Sequence, residues 1–358
     1  SIFNVNLPLG ILALFVGSIY IFDRDKSHDA EGSGNKSFDG LGMALLVVGI
    51  GCLQYMLERG DSEDWFASKL IASCAILTVT CLPTFIWWEL KVKDPIINMR
   101  LFRDGIVQSG VMMQALLGFF LYGVVFLLPI FAGRVFHYDA TQIGLLFIPG
   151  SLVTAAMMPF IGRMMQKGVN PKALIAVGVV CVELALMLLT LLSPLSSRTE
   201  LMYMLYMRGL AMAFLFVPIN SSILSQFSGA ALGQVSGLLN LFRQIGGSIG
   251  IALVATLLAR ASHQNYLDLS SRVSLLKPLT QSNFSQSVSG IGSRMSEAVG
   301  MGTPRNAALM SLYYRMQNQV FMMSFNQLVW VIAIIFGLIV IPLWRLKLRF
   351  VVKPVDSH

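Results

Sequence analysis

Apolar residues run almost unbroken through nine stretches of the chain, at about 7–22, 41–57, 70–90, 107–131, 142–161, 173–192, 201–222, 237–258 and 328–345. A bilayer core asks for about 20 consecutive apolar residues per helical span, and these stretches meet or approach that length. They are too long and continuous for the alternating segments of a β-barrel. The pattern therefore predicts an all-α polytopic membrane protein.

The polar positions lie between these stretches. Residues 23–39 (DRDKSHDAEGSGNKSFD) are charged and Gly/Ser-containing and read as a flexible linker. Residues 89–104 (ELKVKDPIINMRLFRD) are basic with an apolar centre and are expected to lie along the membrane surface. Residues 260–327 begin as a Ser/Gln/Asn-rich loop. From Pro304 onward their spacing predicts an amphipathic helix leading to the last span. No short-period repeat is present.

Charge gives these connections a side. Arg24, Lys26, Lys36, Lys91, Lys93, Arg100, Arg103, Arg163, Lys167, Lys172, Arg345, Lys347, Arg349 and Lys353 fall on one side, and Arg59, Lys69, Arg134 and Arg198 in the short loops of the other. The positive-inside rule makes the first set cytoplasmic. The C-terminus is then expected inside, and the long loop 260–327, which the rule does not count, outside.

Composition agrees. Of 358 residues, 55% are hydrophobic and 12% charged, against roughly a quarter charged in soluble domains. The net charge of +8 is scattered through short loops, so it is a topology signal rather than a nucleic-acid patch. Cys52, Cys74, Cys81 and Cys181 all fall inside spans and read as small buried hydrophobes.

The candidate chemistry is what interrupts the apolar stretches. Arg208 sits well inside the seventh span, LMYMLYMRGLAMAFLFVPINSS, where a charge costs several kcal/mol by insertion scales and normally faces a bundle interior or wet cavity. It is either a cavity cation or one half of a structural pair. Pro218 and Asn220 mark the other end of that span. Glu183 is the one visible mid-membrane acid, either a proton carrier or a hydrogen-bonded acid at a helix contact. Asn240 and Arg243 open the eighth span, where Arg243 either closes a gate or snorkels to the interface. Gly246 and Gly250 form a GxxxG that permits close helix approach. The fourth span mixes Gln108, Gln114, Phe119, Phe120, Tyr122 and Phe126. Aromatic groups with a few hydrogen-bonding ones suit an apolar, weakly discriminating ligand, although aromatics in membranes also simply pack.

The chain has no GxxxxGK[ST], no HExxH or Cys/His cluster and no GxSxG nucleophile motif. An enzyme is not expected. No cofactor or metal is expected either, and a proton gradient would supply the energy.

Several segments together carry a family resemblance: SIFNVNLPLG at the start, LERGDSEDWF at 57–66, DPIINMRLFR at 94–103, RGLAMAFLFVP at 208–218 and NLFRQIGGSIG at 240–250. The chain resembles the fourteen-span drug:proton antiporters of the major facilitator superfamily, the EmrB/QacA type, and most closely the EmrB branch. SIFNVNLPLG looks like the end of the family's W-R-x-I-F-x-I-N-x-P-x-G, whose Trp and Arg are not in this sequence.

The resemblance implies spans six to fourteen. Residues 1–22 would be the last helix of the N-terminal half, 23–39 a linker, and 40–104 two extra helices with a surface segment. Residues 105–345 would be the C-terminal six-helix half and 346–358 a cytoplasmic tail. It puts Gln114, Phe119, Tyr122, Phe126, Arg208, Asn220 and Asn240 on cavity-lining helices, as substrate or cavity residues. Glu183 and Arg243 remain proton-coupling or gating candidates, with Glu183 on a span peripheral in this fold. The implied function is export of hydrophobic or amphipathic drugs and toxic compounds from a bacterial inner membrane by proton antiport, with a periplasmic membrane-fusion adaptor and an outer-membrane channel as partners. The alternatives are a dedicated exporter of one metabolite and a truncated, non-transporting scaffold. The family's first five spans, with their gating and antiporter motifs, have no counterpart here, so the expectation is a partial exporter sequence that does not perform coupled transport alone.

Overall fold

The structure is a computed structural model, and it describes residues 3–20, 39–92, 95–193, 196–272, 282, 285–286 and 304–346. Among these the elements are helices and turns: α1 (Phe3–Tyr20), α2 (Gly40–Arg59), α3 (Lys69–Glu89), α4 (Gly105–Val135), α5 (Ala140–Gln166), α6 (Pro171–Thr190), α7 (Arg198–Leu224), α8 (Ala230–Arg272), α9 (Pro304–Gly337) and α10 (Val340–Arg345). Eight candidate membrane spans result, with α9 and α10 together forming the last. The ninth expected span falls on α1, whose apolar stretch Gly10–Ile19 is shorter.

Local chemistry starts the helices where the polar connections end. Asp39 accepts from the Gly42 amide at 2.9 Å and caps α2, and Asp104 accepts from Ile106 at 2.8 Å and caps α4. Asp139 and Gln142 form a reciprocal capping box on α5. Asn170 caps α6 with Pro171 in the first turn, and Ser197 caps α7. Between α5 and α6, Gly168 takes φ +85°, a left-handed conformation that a side chain would strain.

In the packing, α7 lies between α5 and α6, α4 pairs with α8, and α9 bridges α8, α6 and α4. The main apolar core runs through these helices, with Phe120, Phe131, Phe325 and Phe336 among its fully enclosed rings, and a smaller one gathers Ile161, Leu174 and Ala213 of α5, α6 and α7. The α2–α3 hairpin leans on α8. There Gln54 donates to Gln244 at 3.3 Å, and Ser248 donates to Glu58 at 3.3 Å.

The surface segment after α3 is held to the bundle. Glu89 accepts from the Ile97 amide at 3.2 Å, and Ile97, Leu101 and Phe102 pack on the core. Phe102 meets Phe242 of α8 edge-on at 5.9 Å.

The larger departure from expectation concerns residues 260–327. The eighth span does not stop near 258, because α8 continues to Arg272. Its 43 residues make a rod of about 65 Å, some twice the ~30 Å hydrocarbon core. The amphipathic helix expected from Pro304 is present, and it merges with the last span as one helix to Gly337. The two rods are pinned by Asn265, which donates to Ser324 at 2.9 Å and to Gln327 at 3.3 Å. Asn265, in the stretch read as the start of a loop, therefore serves here as a polar contact to the helix expected from Pro304. Linker residues 23–38, the tail beyond 346, and 273–303 apart from Ser282, Ser285 and Gln286 lie outside the described residues.

Candidate functional site

Small residues set the spacing from which the site follows. Gly246 lies against the backbone of Ala115, Gly118 against that of Arg243, and Gly250 against that of Phe119, leaving no room for a Cβ at any of the three. The GxxxG is thus a packing device, with Gly118 as its counterpart on α4. On the other side of the bundle, Gly150 of α5 and Gly209 of α7 meet backbone to backbone. Thr154 seals that contact by donating to the Gly209 carbonyl at 2.9 Å.

Where α4, α7 and α8 converge, the sequence-derived polar candidates meet. Gln114 is 1% exposed, and its amide donates to Asn220 at 3.0 Å. Asn220 in turn donates to the Phe216 carbonyl, one turn earlier on α7, at 2.7 Å. The Phe216 ring carries the Arg243 guanidinium at 5.1 Å, and Arg243 donates to Asn240. The result is a polar ladder across three helices: Gln114, Asn220, Phe216, Arg243, Asn240. Its upper member is incomplete, since Gln114 Oε1 is buried and accepts no hydrogen bond. Such a group costs roughly 1–3 kcal/mol in desolvation until a donor reaches it.

Arg208 stands apart from this ladder. It lies 12 residues before Asn220 on α7, about 18 Å along the axis at ~1.5 Å per residue. Its side chain is 8% exposed, set in the α5–α7 seam with its guanidinium over the Phe147 ring at 5.5 Å. Nε and Nη1 are enclosed and donate to nothing. The cation thus lies against an aromatic face and has no carboxylate partner among the described residues.

The fourth-span aromatics divide. Phe119 is buried against Gly250, Tyr122 lies over Gly247 and is 38% exposed, and Phe126 is half-buried against the core. Glu183 belongs to neither cluster. Together with Thr190, Val329, Trp330 and Ala333 it lines a pocket of about 90 Å³ between α6 and α9, where its Oε1 is buried without a partner.

Phe147, Phe216 and Thr154 were missed from sequence. An aromatic or threonine in an apolar span carries no periodic or charge signal, and only the neighbouring helix gives it a role. Among the described residues no group of three or more His, Cys, Asp or Glu could hold a metal.

Eight candidate membrane spans among the described residues, with polar groups where α4, α7 and α8 meet, define a polytopic helical membrane protein, and comparison places it in a family. Residues 1–251 match the model of the Major Facilitator Superfamily, and the chain belongs to that family. Among its relatives is the multidrug export protein EmrB of Haemophilus influenzae, 25% identical over 98% of this chain and 65% of the relative. EmrB of Escherichia coli is 27% identical over the same shares. The fatty acid resistance protein FarB of Neisseria gonorrhoeae is 30% identical over 72% of the chain and 50% of the relative. The chain thus spans about two thirds of the length of the EmrB proteins it matches.

Proposed function

We propose that α4–α10 form the substrate-handling wall of an inner-membrane exporter that moves hydrophobic and amphipathic compounds outward by proton antiport. The observation that carries this is the ladder from Gln114 to Asn240 with its unmet acceptor at Gln114. A few oriented polar groups beside aromatic and small residues suit apolar ligands with one or two hydrogen-bonding groups. The names of the EmrB relatives, multidrug export proteins, support the same substrate class.

In this reading Gln114, Asn220 and Asn240 meet the ligand's polar groups. Tyr122 and Phe126 meet its apolar surface, and Phe119 sets the wall behind them. Arg208 meets an anionic group or a proton-carrying carboxylate outside the described residues. Arg243 gates by exchanging Phe216 and Asn240 for a partner across the opening. Glu183, remote from both clusters, is the weaker proton-coupling candidate. A periplasmic membrane-fusion adaptor and an outer-membrane channel would complete the pathway, with the paired extensions of α8 and α9 as the docking surface.

The test is pH-gradient-driven uptake of a fluorescent hydrophobic dye into everted vesicles bearing the protein expressed from its own gene. Uptake that collapses with the gradient and falls at least about tenfold in Asn220→Leu, as loss of one charge-free polar contact in a dry site permits, is expected. Dye movement indifferent to the gradient, or unchanged in that variant, rejects the reading.

A further inference from the structure

A second site lies away from the ladder, between α8 and α9. Leu257, Arg260, Ala261, Gln264, Gln327, Leu328 and Val331 line a groove of about 310 Å³, within the roughly 300–1,000 Å³ typical of small-molecule pockets. Nothing in the ladder or in the α5–α7 seam uses it.

Its polarity is graded along the helix axes. The two helices run antiparallel, so Leu257 and Val331 lie towards the apolar span, Arg260 and Gln327 midway, and Gln264 towards the polar extension. The apolar run of α8 ends just before Arg260, and that of α9 begins at Leu328. The groove therefore crosses the level where hydrocarbon gives way to head groups. Trp330, 54% exposed and next in sequence to Val331, but lining the pocket on the α6 side of α9, is the residue type that concentrates at that level.

The polar groups are available. Arg260 is exposed and makes no hydrogen bond or ion pair with any described residue. Gln327 has its carbonyl oxygen engaged by Asn265, which leaves its amide NH₂ as the group free to donate. The same Asn265 contact, with Ser324 behind it, fixes the spacing of the groove walls.

We propose that this groove binds an anionic phospholipid of the surrounding bilayer. The phosphate group meets Arg260 and the amides of Gln264 and Gln327, and an acyl chain descends along Leu257, Leu328 and Val331. A cation without a partner, two amides and an apolar floor open to the membrane complement an anionic head group on a hydrocarbon tail. A zwitterionic lipid brings a second cation to the same place and gains less.

Native mass spectrometry of the purified full chain, incubated with equal phosphatidylglycerol and phosphatidylcholine, tests the assignment. Retention of phosphatidylglycerol is expected to exceed that of phosphatidylcholine, and to fall on the order of fivefold in Arg260→Gln, the contribution of one basic residue near anionic lipid. Arg260 is exposed and unbonded, so circular dichroism of Arg260→Gln should match the parent. Val331→Trp, which fills the apolar floor, should also reduce retention. Equal retention of the two lipids, or retention unaffected by both variants, overturns the proposal. Oleate bound in preference to phosphatidylglycerol, with the same dependence on Arg260, also overturns it by assigning the groove to free fatty acids.

Discussion

Arg208 shows how a single side chain can be costly to the fold and still be kept. Two of its nitrogens are buried without acceptors, and among the described residues only the Phe147 ring offsets the charge. Removing an unpartnered buried cation while keeping its volume relieves that cost. Arg208→Met is therefore expected to raise thermal stability in detergent, by about 1–3 kcal/mol, while lowering transport. A fall in melting temperature with transport intact would show that the residue is structural. Gln114 and Asn220 make the opposite case. Their bond joins α4 to α7, and interhelical hydrogen bonds in membranes contribute about 0.6 kcal/mol on average and up to about 1.7. Asn220→Ala should lower stability by about 1 kcal/mol, within that range, as read by thermal unfolding followed by tryptophan fluorescence.

At the scale of elements, the α4–α8 contact is set by glycine. Gly118→Ala and Gly246→Ala each push a Cβ into facing backbone, which cannot rotate aside as a side chain can. Each should cost at least about 2 kcal/mol or prevent folding, as overpacking of a tight contact does. Gly233 on the same helix has open space around it, and Gly233→Ala should stabilise by about 0.5–1 kcal/mol through helix propensity. Size-exclusion profiles after a heating series distinguish the two outcomes. Further along, Asn265→Ala removes the pin between the extensions of α8 and α9. Amide exchange there should quicken relative to α4, while the membrane-embedded part of α8 is unchanged.

At the scale of the whole molecule, the distribution of Lys and Arg predicts a single orientation. Labelling of His263→Cys by a membrane-impermeant maleimide in intact cells, in a background without the four native cysteines, is the expected result. Lys167→Cys should label only after permeabilisation. The reverse pattern would invert the topology and place the α8–α9 extensions in the cytoplasm.

Much of this architecture is legible in the order of residues. Apolar runs long enough for a bilayer must become helices there, because no water is present to satisfy open backbone groups. That constraint alone determines the helical class, the approximate spans and the exceptional standing of Arg208, Glu183 and Asn220, whose cost is set by chemistry rather than by neighbours. Only the tertiary structure decided which of those groups meet. It joined Gln114 to Asn220 and Arg243 to Phe216, kept Arg208 in a separate seam, and set Glu183 against α9. It also continued the eighth span as helix to Arg272, where loop was expected, and paired that extension with the helix expected from Pro304. Partnership depends on helix rotation and approach, and those are settled by glycines facing a backbone many residues away.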